Sequence, residues 1–373
     1  APDGKSAEIW LGTQSNFLAA LITSKVLKTS PMKIKINQHL LGGGFGRRIW
    51  PDPAIQAAVL SKIVKKPVKL IATREDDIAA ARPRPMTHHA LKAGLNNDGK
   101  IVGWHHRLVA ENVDAVAAPP RFKATGGKDI IGWRGLEQPF YEFSNIRADA
   151  VREIRGMRVH AWRGIGAGYN RFASESFLDE LAGEMGVDPL DLRLQLTRGH
   201  PRVHNVIKEV AELAKWGQKR PDNRGLGISF SDYHGSLSAG VAEISVNRTT
   251  GKIRVHDYWA TVDPGIVIDP KNVRAQMESC VIYGISGALK EQLTISGGAV
   301  QQSNFHDYQV ARMMDVPEIH VKIIATDNPP TGMGEVGVPP VAPAVANAFA
   351  SLTGKRLRDL PMSSSRVKKV LAS

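Results

Sequence analysis

The sequence predicts an α+β fold of mixed sheets with helices packed on one face of each sheet, and three observations support this prediction. Segments with the alternating pattern of strands and segments with the repeat of amphipathic helices follow one another along the chain. Hydrophobic residues make up 42% and charged residues 23% of the 373 residues, as in ordinary globular proteins. No apolar run approaches the roughly 18 residues that a membrane span needs.

The first third of the chain is predicted to alternate strands and helices around a glycine-rich loop. Strand patterns occupy residues 7–11, 33–41 and 69–73, and helical periodicity occupies residues 17–28 and 53–64. Residues 93–111 are predicted to form a β-hairpin, because Asp98-Gly99 supplies the positive φ that a tight turn needs.

The remaining elements follow a loop-rich middle, residues 113–143. Helices are predicted over residues 173–184, 189–197, 272–291 and 341–353, and strands over residues 240–246, 253–262 and 318–325. Residues 221–225 (PDNRG) form the best turn-rich boundary. We therefore expect one segment over residues 1–220 and a second over residues 221–373.

Charge and cysteine content narrow the classes of function. The formal net charge of +13 fits an acidic partner subunit, a phosphate-bearing cofactor, an anionic membrane surface or a nucleic acid. Basic residues are scattered and aromatic residues are only 6%, which argues against nucleic acid. The single cysteine, Cys280, excludes an internal disulfide and an iron–sulfur cluster held by this chain alone. The pairs His88-His89 and His105-His106 are expected to split across a hairpin's two faces, so no metal ligated by this chain is predicted.

A glycine-rich loop, residues 42–48 (GGGFGRR), lies between a predicted strand and a predicted helix. Its glycines let backbone amides approach a ligand closely, and the helix N-terminus favours an anion. The loop matches neither G-x-G-x-x-G nor a P-loop. Phe45 at its centre predicts a specific packing partner for the ring. A tight turn without a ligand is the alternative.

Two further segments combine glycines with a functional side chain. Residues 161–168 (AWRGIGAG) place Arg163 among glycines ahead of a predicted helix, so that backbone donors can face an anion. Residues 331–340 (TGMGEVGVPP) place Glu335 between glycines and ahead of Pro-Pro. If this loop is buried, the carboxylate loses water and becomes a stronger base, as a general base requires. The alternatives are a plain helix entry and a solvated loop acid.

Four segments in this order resemble the molybdenum hydroxylases, the family of xanthine dehydrogenase and aldehyde oxidoreductase. They are GGGFGRR (residues 42–48), NRFASESFLDELA (residues 170–182), SNFHDYQVARM (residues 303–313) and GEVGVPPVAPAVANAFASLTGKRLRDLPM (residues 334–362). The variant motifs are most similar to the molybdopterin-binding large subunit of the isoquinoline 1-oxidoreductase and bacterial membrane-bound aldehyde dehydrogenase type, in its C-terminal half. The resemblance runs from about residue 10 to residue 362.

The resemblance implies a role for each matching residue. Glu335 matches the general base that takes a proton from the Mo–OH group as its oxygen attacks an electron-poor carbon. The residues that match the cofactor-binding positions are Gly43, Gly44, Phe45, Gly46, Trp162, Arg163, Gly164, Gln276 and Gly334. The implied reaction oxidises an aldehyde to a carboxylic acid or hydroxylates an N-heteroaromatic ring with oxygen from water.

The resemblance also implies a cofactor and partners. The cofactor is molybdopterin, expected in its cytosine dinucleotide form, and the [2Fe-2S] clusters sit on a small partner subunit. The family's G-Q-G segment is absent from this sequence, so the N-terminal half of the molybdopterin subunit is expected as a separate or cleaved chain. Some members add a cytochrome c subunit. The comparison favours the periplasmic side of the bacterial inner membrane.

Two other functions compete with this hypothesis. A non-catalytic scaffold would keep the fold and dock the partner subunits, but an intact G-E-x-G-x-P-P motif argues against a relic. A basic nucleotide-binding protein would need a phosphate motif that closes, and neither glycine loop supplies one. Arg47-Arg48 replaces the Gly-Lys of the xanthine dehydrogenase branch, so purine contacts are not carried over.

Overall fold

The computed structural model describes residue 1 and residues 3–373. Its first helices and strands are β1 (Ala7–Leu11), α1 (Asn16–Leu27), β2 (Ile34–Gln38), α2 (Asp52–Val64), α3 (Arg74–Ala79), β3 (Thr87–Leu95), β4 (Ile101–Ala110), α4 (Val113–Ala117), α5 (Pro119–Ala124) and β5 (Ile146–Arg152). The others are α6 (Ile165–Met185), α7 (Pro189–Leu196), α8 (Pro201–Leu213), β6 (Gly225–Tyr233), β7 (Ser236–Val246), β8 (Ile253–Gly265), α9 (Pro270–Leu289), β9 (Ile295–Ser296), β10 (Ala299–Val300), β11 (Glu318–Ala325), α10 (Val341–Thr353) and α11 (Ser364–Ala372).

A four-stranded sheet with the order β11-β8-β7-β6 forms the centre of the molecule. Side chains alternate across β7, so that Ala239 and Val241 pack in one core while Ala242 and Ile244 pack in the other. The predicted mixed sheets with packed helices are confirmed. The expectation that helices cover one face is wrong for this sheet, because α9 and α10 cover one face and α8 covers the other.

Helix α10 lies unusually close to strand β6. A Cβ atom on Gly227 would stand 2.1 Å from the Ala348 amide nitrogen, so only glycine permits this approach. The backbone of Pro340, which precedes α10, accepts a hydrogen bond of 2.5 Å from the buried Ser229 hydroxyl. This packing fixes the end of the loop 331–340 against the central sheet.

The predicted hairpin is present as β3 and β4, which pair antiparallel, and β5 extends this sheet beside β4 in parallel. The sheet brings one histidine from each predicted pair together. The His89 Nδ1 and His106 Nε2 atoms lie 3.0 Å apart, and His106 is completely buried. Burial lowers the pKa of His106 to about 3 and that of His89 to about 4. Their hydrogen bond requires one nitrogen with a proton and one without.

This histidine pair predicts an acid-sensitive fold. The unfolded chain binds protons at these imidazoles below about pH 6.5, whereas the folded chain resists them until about pH 4. Their contribution to stability is therefore complete above pH 6.5 and is lost as the pH falls. We expect His106 alone to account for a loss on the order of 2 kcal/mol at pH 5.

Urea unfolding at pH 7 and pH 5 measures this loss. In His106→Gln the amide keeps a polar group at this position but does not titrate, so the difference in unfolding free energy between the two pH values should shrink. His306→Gln is the control, because His306 is exposed. An unchanged pH dependence in His106→Gln would contradict the assignment.

The first 80 residues form a smaller lobe around a two-stranded parallel sheet, β1 and β2. Helices α1 and α2 pack on one face of this sheet, and a few apolar residues form the lobe's core. The predicted strand at residues 69–73 is wrong: these residues have no regular secondary structure and pair with no strand in the described chain. The predicted strand at residues 33–41 is shorter, because it pairs with β1 only over Ile34–Gln38.

Other elements differ from the sequence predictions at glycines and turns. Helix α6 begins at Ile165 and therefore includes Gly166 and Gly168, which had been assigned to a loop. The loop-rich middle contains α4 and α5. Helix α8 and strand β6 were not predicted, although α8 carries buried valines and isoleucine at helical spacing. Side chains from both sides of residue 220 share one core, and the two-segment division stays a prediction.

A buried ionic network joins α6, α7 and β6. The Arg193 Nε atom donates to Glu175 Oε2 at 3.0 Å, and both side chains are fully buried. Glu175 also accepts hydrogen bonds from the Tyr141 hydroxyl at 2.8 Å and from the Phe230 amide at 3.0 Å. Asp179 lies 3.4 Å from the Arg193 guanidinium. Burial together with the Glu175 charge raises the pKa of Tyr141 well above its usual value, so its hydroxyl stays a donor.

None of the described helices is both long enough and apolar enough to cross a membrane.

Candidate active site

The three segments singled out in the sequence meet at one place between the small lobe and the central sheet. The Arg163 guanidinium carbon lies 5.3 Å from the Phe45 ring centroid, which joins the second segment to the glycine-rich loop. The Arg163 Nε atom donates to the Gly334 carbonyl oxygen at 2.7 Å, which joins it to the third. Segments more than 100 residues apart in sequence therefore build a single site.

The glycine-rich loop is held against the second segment by close backbone contact. A Cβ atom on Gly46 would lie 2.5 Å from the Ala161 carbonyl oxygen, and Gly46 has a φ of 96°. The Gly46 amide donates to Gln14 Oε1 at 3.1 Å, and a Cβ on Gly44 would displace that Gln14 side chain. Phe45 itself has a φ of 49°, a strained value for a bulky residue. Its ring packs on Tyr283 with the centroids 4.6 Å apart.

Arg163 is 2% exposed and bridges three parts of the site. Besides Gly334, its guanidinium donates to the Ser279 hydroxyl at 2.7 Å and to Gln276 Oε1 at 2.6 Å. Because the Gln276 Oε1 atom accepts this hydrogen bond from Arg163, the orientation of the exposed Gln276 amide is fixed. The Gln276 Nε2 atom makes no hydrogen bond within the described chain. It is therefore a donor that a ligand can use.

Glu335 is fixed by its first carboxylate oxygen and open at its second. The Gly164 amide donates to Glu335 Oε1 at 3.0 Å, and Gly164 has a φ of 90° that presents this amide ahead of α6. Glu335 Oε2 lies 3.7 Å from His234 Nε2, beyond a normal hydrogen bond. The side chain retains 29% exposure, so the burial expected for this loop is partial. Glu335 Oε2 is thus the oxygen available to a reacting group.

The loop that carries Glu335 is anchored to strand β7. The Ser236 hydroxyl lies 2.6 Å from the Thr331 hydroxyl and donates to the Gly332 carbonyl at 2.9 Å. A Cβ atom on Gly337 would lie 2.8 Å from the Cys280 Cβ, so the loop also packs tightly on α9. These contacts hold the Glu335 backbone on both sides.

Polar groups near Glu335 are tuned by burial and by charge. Burial and the Glu335 charge raise the pKa of Tyr233, whose buried hydroxyl makes no hydrogen bond within 3.5 Å. Partial burial and the Arg134 charge lower the pKa of His234, while Glu335 opposes this shift. His234 is consequently neutral at pH 7. The Arg134 guanidinium lies over the Tyr233 ring, 5.6 Å from its centroid, so the loop-rich middle of the chain reaches this neighbourhood.

Aromatic rings line one side of the site. Trp162 and Tyr283 have ring centroids 5.8 Å apart, and Tyr283 also lies under the Arg163 guanidinium. The Arg84 guanidinium stacks on the outer Trp162 ring at 4.4 Å. Together with Phe45, these mutually tilted rings give an apolar surface beside the hydrogen bonds of Arg163.

Every sequence-predicted site residue lies in this region, but several contributors were missed. Gln14, Ser279 and Tyr283 act through contacts with residues 32 to 238 positions away in sequence, so no local motif marks them. His234 had a weak local signal, because His-Gly is typical of the turn that joins two paired strands. In the described part of the chain, no three His, Cys, Asp or Glu side chains are grouped to hold a metal ion.

The family model for a molybdopterin cofactor-binding domain matches residues 1–196, and a second model with the same description matches residues 175–317. The chain is 37% identical to the isoquinoline 1-oxidoreductase subunit beta of Brevundimonas diminuta over 96% of its length and 46% of that protein. It is 29% identical to a protein of Gluconacetobacter polyoxogenes named membrane-bound aldehyde dehydrogenase (pyrroloquinoline-quinone), over 95% of its length and 49% of that protein.

A solved structure shares the fold. The quinoline 2-oxidoreductase of Pseudomonas putida 86 superimposes with a TM-score of 0.84 at 13% sequence identity, covering 99% of this chain and 72% of that one. The chain spans about half the length of the two curated relatives above.

Proposed function

Because the chain belongs to the family of molybdopterin cofactor-binding domains, we propose that it is part of the catalytic subunit of a molybdenum-dependent oxidoreductase. The observation that carries this proposal is the Glu335 carboxylate, fixed by the Gly164 amide with its second oxygen open. A carboxylate held in this way is a general base in position. A scaffold that only docks partners has no use for it.

The residues present fit an anionic cofactor with a flat ring system. The Gln276 amide nitrogen is an exposed donor without a partner, and its orientation is fixed by Arg163. The backbone around Gly46 is closed so tightly on Ala161 that a methyl group has no room. We propose that Gly43, Gly44, Phe45 and Gly46 hold the cofactor from one side. Trp162, Arg163, Gly164, Gln276 and Gly334 would hold it from the other.

When bound, the molybdenum cofactor supplies oxygen-transfer chemistry and accepts two electrons. This chain's residues supply the positioning and the proton transfer. Glu335 Oε2 accepts a proton, while the Gly164 amide keeps Oε1 in place and balances part of the charge. Neutral His234 beside Glu335 does not form an ion pair with the carboxylate, so Oε2 stays open to a reacting group. Phe45 and Tyr283 present an apolar wall that excludes water.

For the substrate, we propose an aldehyde or an N-heteroaromatic ring that is hydroxylated next to nitrogen. The printed names of the relatives support both classes, since one names isoquinoline and the other an aldehyde. Rates with isoquinoline and with a simple aldehyde, measured on the native complex with an artificial electron acceptor, distinguish them. Catalysis with neither compound would leave the substrate class proposed here wrong.

We further propose that the cofactor has the cytosine dinucleotide form and that the electrons pass to [2Fe-2S] clusters on a small partner subunit. The single cysteine of the chain supports a separate carrier of the clusters. We also propose the N-terminal half of the molybdopterin subunit as a partner, because the relatives are about twice as long. A cytochrome c subunit and a periplasmic location remain part of the proposal, supported by the likeness to a membrane-bound relative.

Elemental analysis of the protein purified from its native host tests the proposal. Molybdenum near one atom per complex, together with iron and a second large chain, is the expected result. Absence of molybdenum from a host that makes the cofactor would favour the scaffold. If the protein instead uses the pyrroloquinoline quinone that one relative's name contains, extraction should release that quinone and the protein should contain no molybdenum.

The close approach of Gly46 to Ala161 predicts the effect of a single methyl group. In Gly46→Ala the new Cβ meets a backbone oxygen at 2.5 Å, so the glycine-rich loop must move away from the second segment. We expect bound molybdenum per chain to fall severalfold while the unfolding transition is little changed. Gly99→Ala is the matched control, because Gly99 also has a positive φ but nothing within 4 Å of its Cβ position. Full molybdenum content in Gly46→Ala would remove the loop from the cofactor site.

A further inference from the structure

The parallel sheet of the small lobe has fewer strands than parallel sheets usually have. Strands β1 and β2 pair only with each other, so both outer edges are open in the described chain. Parallel sheets normally have covered faces and more than two strands, because a two-stranded unit buries too little to be stable. The buried apolar residues that form the core of the lobe are few: Ile9, Leu27, Ile34, Ala54 and Ala58. The lobe therefore lacks part of its hydrophobic core.

A third strand-like segment of the same lobe has no partner. Residues 67–72 (PVKLIA) belong to no helix or strand, and none of their backbone N–H or C=O groups makes a hydrogen bond within the described chain. Ile71 is 75% exposed and Leu70 is 37% exposed. The sequence of these residues has the composition of a buried strand, with branched and aliphatic side chains. The segment follows β1, α1, β2 and α2, where a strand–helix alternation places its next strand.

The part of the small lobe that precedes α3 also carries most of the chain's excess positive charge. Residues 1–73 contain eleven lysines and arginines against three acidic residues, which is eight of the thirteen net positive charges of the whole chain. Lys62, Lys65, Lys66 and Lys69 surround the unpaired segment, and all four residues are exposed. A surface with this charge and open strand edges favours an acidic polypeptide over a second copy of this basic chain.

We propose that this lobe is a half-sheet completed by a strand from an acidic polypeptide, which pairs with residues 67–72 and with an open edge of β1 or β2. Main-chain hydrogen bonds would give the affinity, and the lysines would give the orientation. The identity of the partner rests on the proposed function. Under that proposal, the pairing strand comes from the polypeptide that corresponds to the half of the relatives that this chain does not span.

Hydrogen exchange on the complex purified from the native host tests the pairing. The amides of residues 68–72 should exchange at least tenfold more slowly than an unstructured chain. Residues 154–157 provide the internal reference, because they too lie outside helices and strands, are mostly exposed and make no backbone hydrogen bonds within the described chain. Exchange of residues 68–72 at the reference rate, with the second chain bound, would overturn the proposal.

Proline variants test the same pairing through the loss of one N–H donor. Neighbouring N–H groups point to opposite edges of a strand, so Leu70→Pro and Ile71→Pro are both needed. At least one of them should weaken binding of the second chain tenfold or more. Ile154→Pro is the matched control, since Ile154 is 68% exposed in another segment that belongs to no helix or strand. Equal binding by all three variants would contradict the proposed strand.

The outcomes separate this inference from the proposed function. A second chain that protects residues 68–72 in a complex without molybdenum would support the half-sheet and overturn the molybdenum enzyme. A complex that contains molybdenum but leaves residues 68–72 unprotected would support the molybdenum enzyme and overturn the half-sheet. A native preparation that contains only this chain, as a monomer or as a pair of copies by light scattering, would overturn the acidic partner.

Discussion

Replacing Glu335 with glutamine is expected to lower turnover by about 10²-fold or more while molybdenum content stays unchanged. The amide oxygen of glutamine still accepts the hydrogen bond from the Gly164 amide, so the side chain keeps its place. Glutamine has no basic oxygen, however, and the proton has no acceptor at the open position near His234. The loss should therefore fall on turnover more than on the apparent affinity for substrate.

Single-turnover kinetics and metal analysis on the same preparation check this expectation. Glu318→Gln is the matched control, because Glu318 is an exposed glutamate at the start of β11. It should retain full activity. Equal activity in Glu335→Gln would remove Glu335 from proton transfer. Loss of molybdenum in that variant would show instead that the carboxylate holds the cofactor site together.

Replacing Arg193 with methionine is expected to cost about 3–5 kcal/mol of folding stability, the largest effect predicted for any site away from the cofactor. The guanidinium is completely buried and is the cationic partner of a completely buried Glu175. Methionine fills a similar volume but leaves the carboxylate charge without compensation. The Tyr141 hydroxyl and the Phe230 amide still donate to Glu175, yet neither carries a positive charge.

Chemical unfolding of Arg193→Met, of Glu175→Gln and of the double variant measures the coupling. The double variant should be more stable than the sum of the single losses predicts, because neither charge is then left alone. Arg358→Met is the control: its ion pair with Glu180 lies at the surface, where solvent screening limits its worth to less than about 1 kcal/mol. A similar loss of unfolding free energy in both arginine variants would mean that the buried ion pair stabilises the fold no more than the surface ion pair does.

Sequence patterns predicted elements well where local signals enclose them. Helix α10 and strand β11 were predicted to the residue. The helix is an apolar run between Pro340 and Gly354, and the strand alternates between two turns. Residues 69–73 were misassigned for the complementary reason. These residues have the pattern of a strand, but a strand forms only where a neighbouring strand supplies hydrogen bonds. The described chain places no strand beside them.

The candidate site divides in a similar way between local and distant information. Glycine loops and an isolated glutamate are visible in sequence, because their backbone geometry depends on the residue type itself. The start of α6 was missed, because the close packing of Gly166 against Gly132 overrides the low helix propensity of glycine. Gln14 and Ser279 became visible only in three dimensions, since ordinary polar residues gain a role through the backbone they meet.

The hydrogen bond from Arg163 to Gly334 also determines how late during synthesis of the chain the site can be completed. These residues are 171 positions apart, so at the usual elongation rates Arg163 leaves the ribosome roughly 10–30 s before its acceptor. During that interval the glutamate loop does not exist, and Arg163 lacks the carbonyl that accepts from its Nε atom. We therefore expect the cofactor to bind only after the glutamate loop has been synthesised and has packed against Arg163.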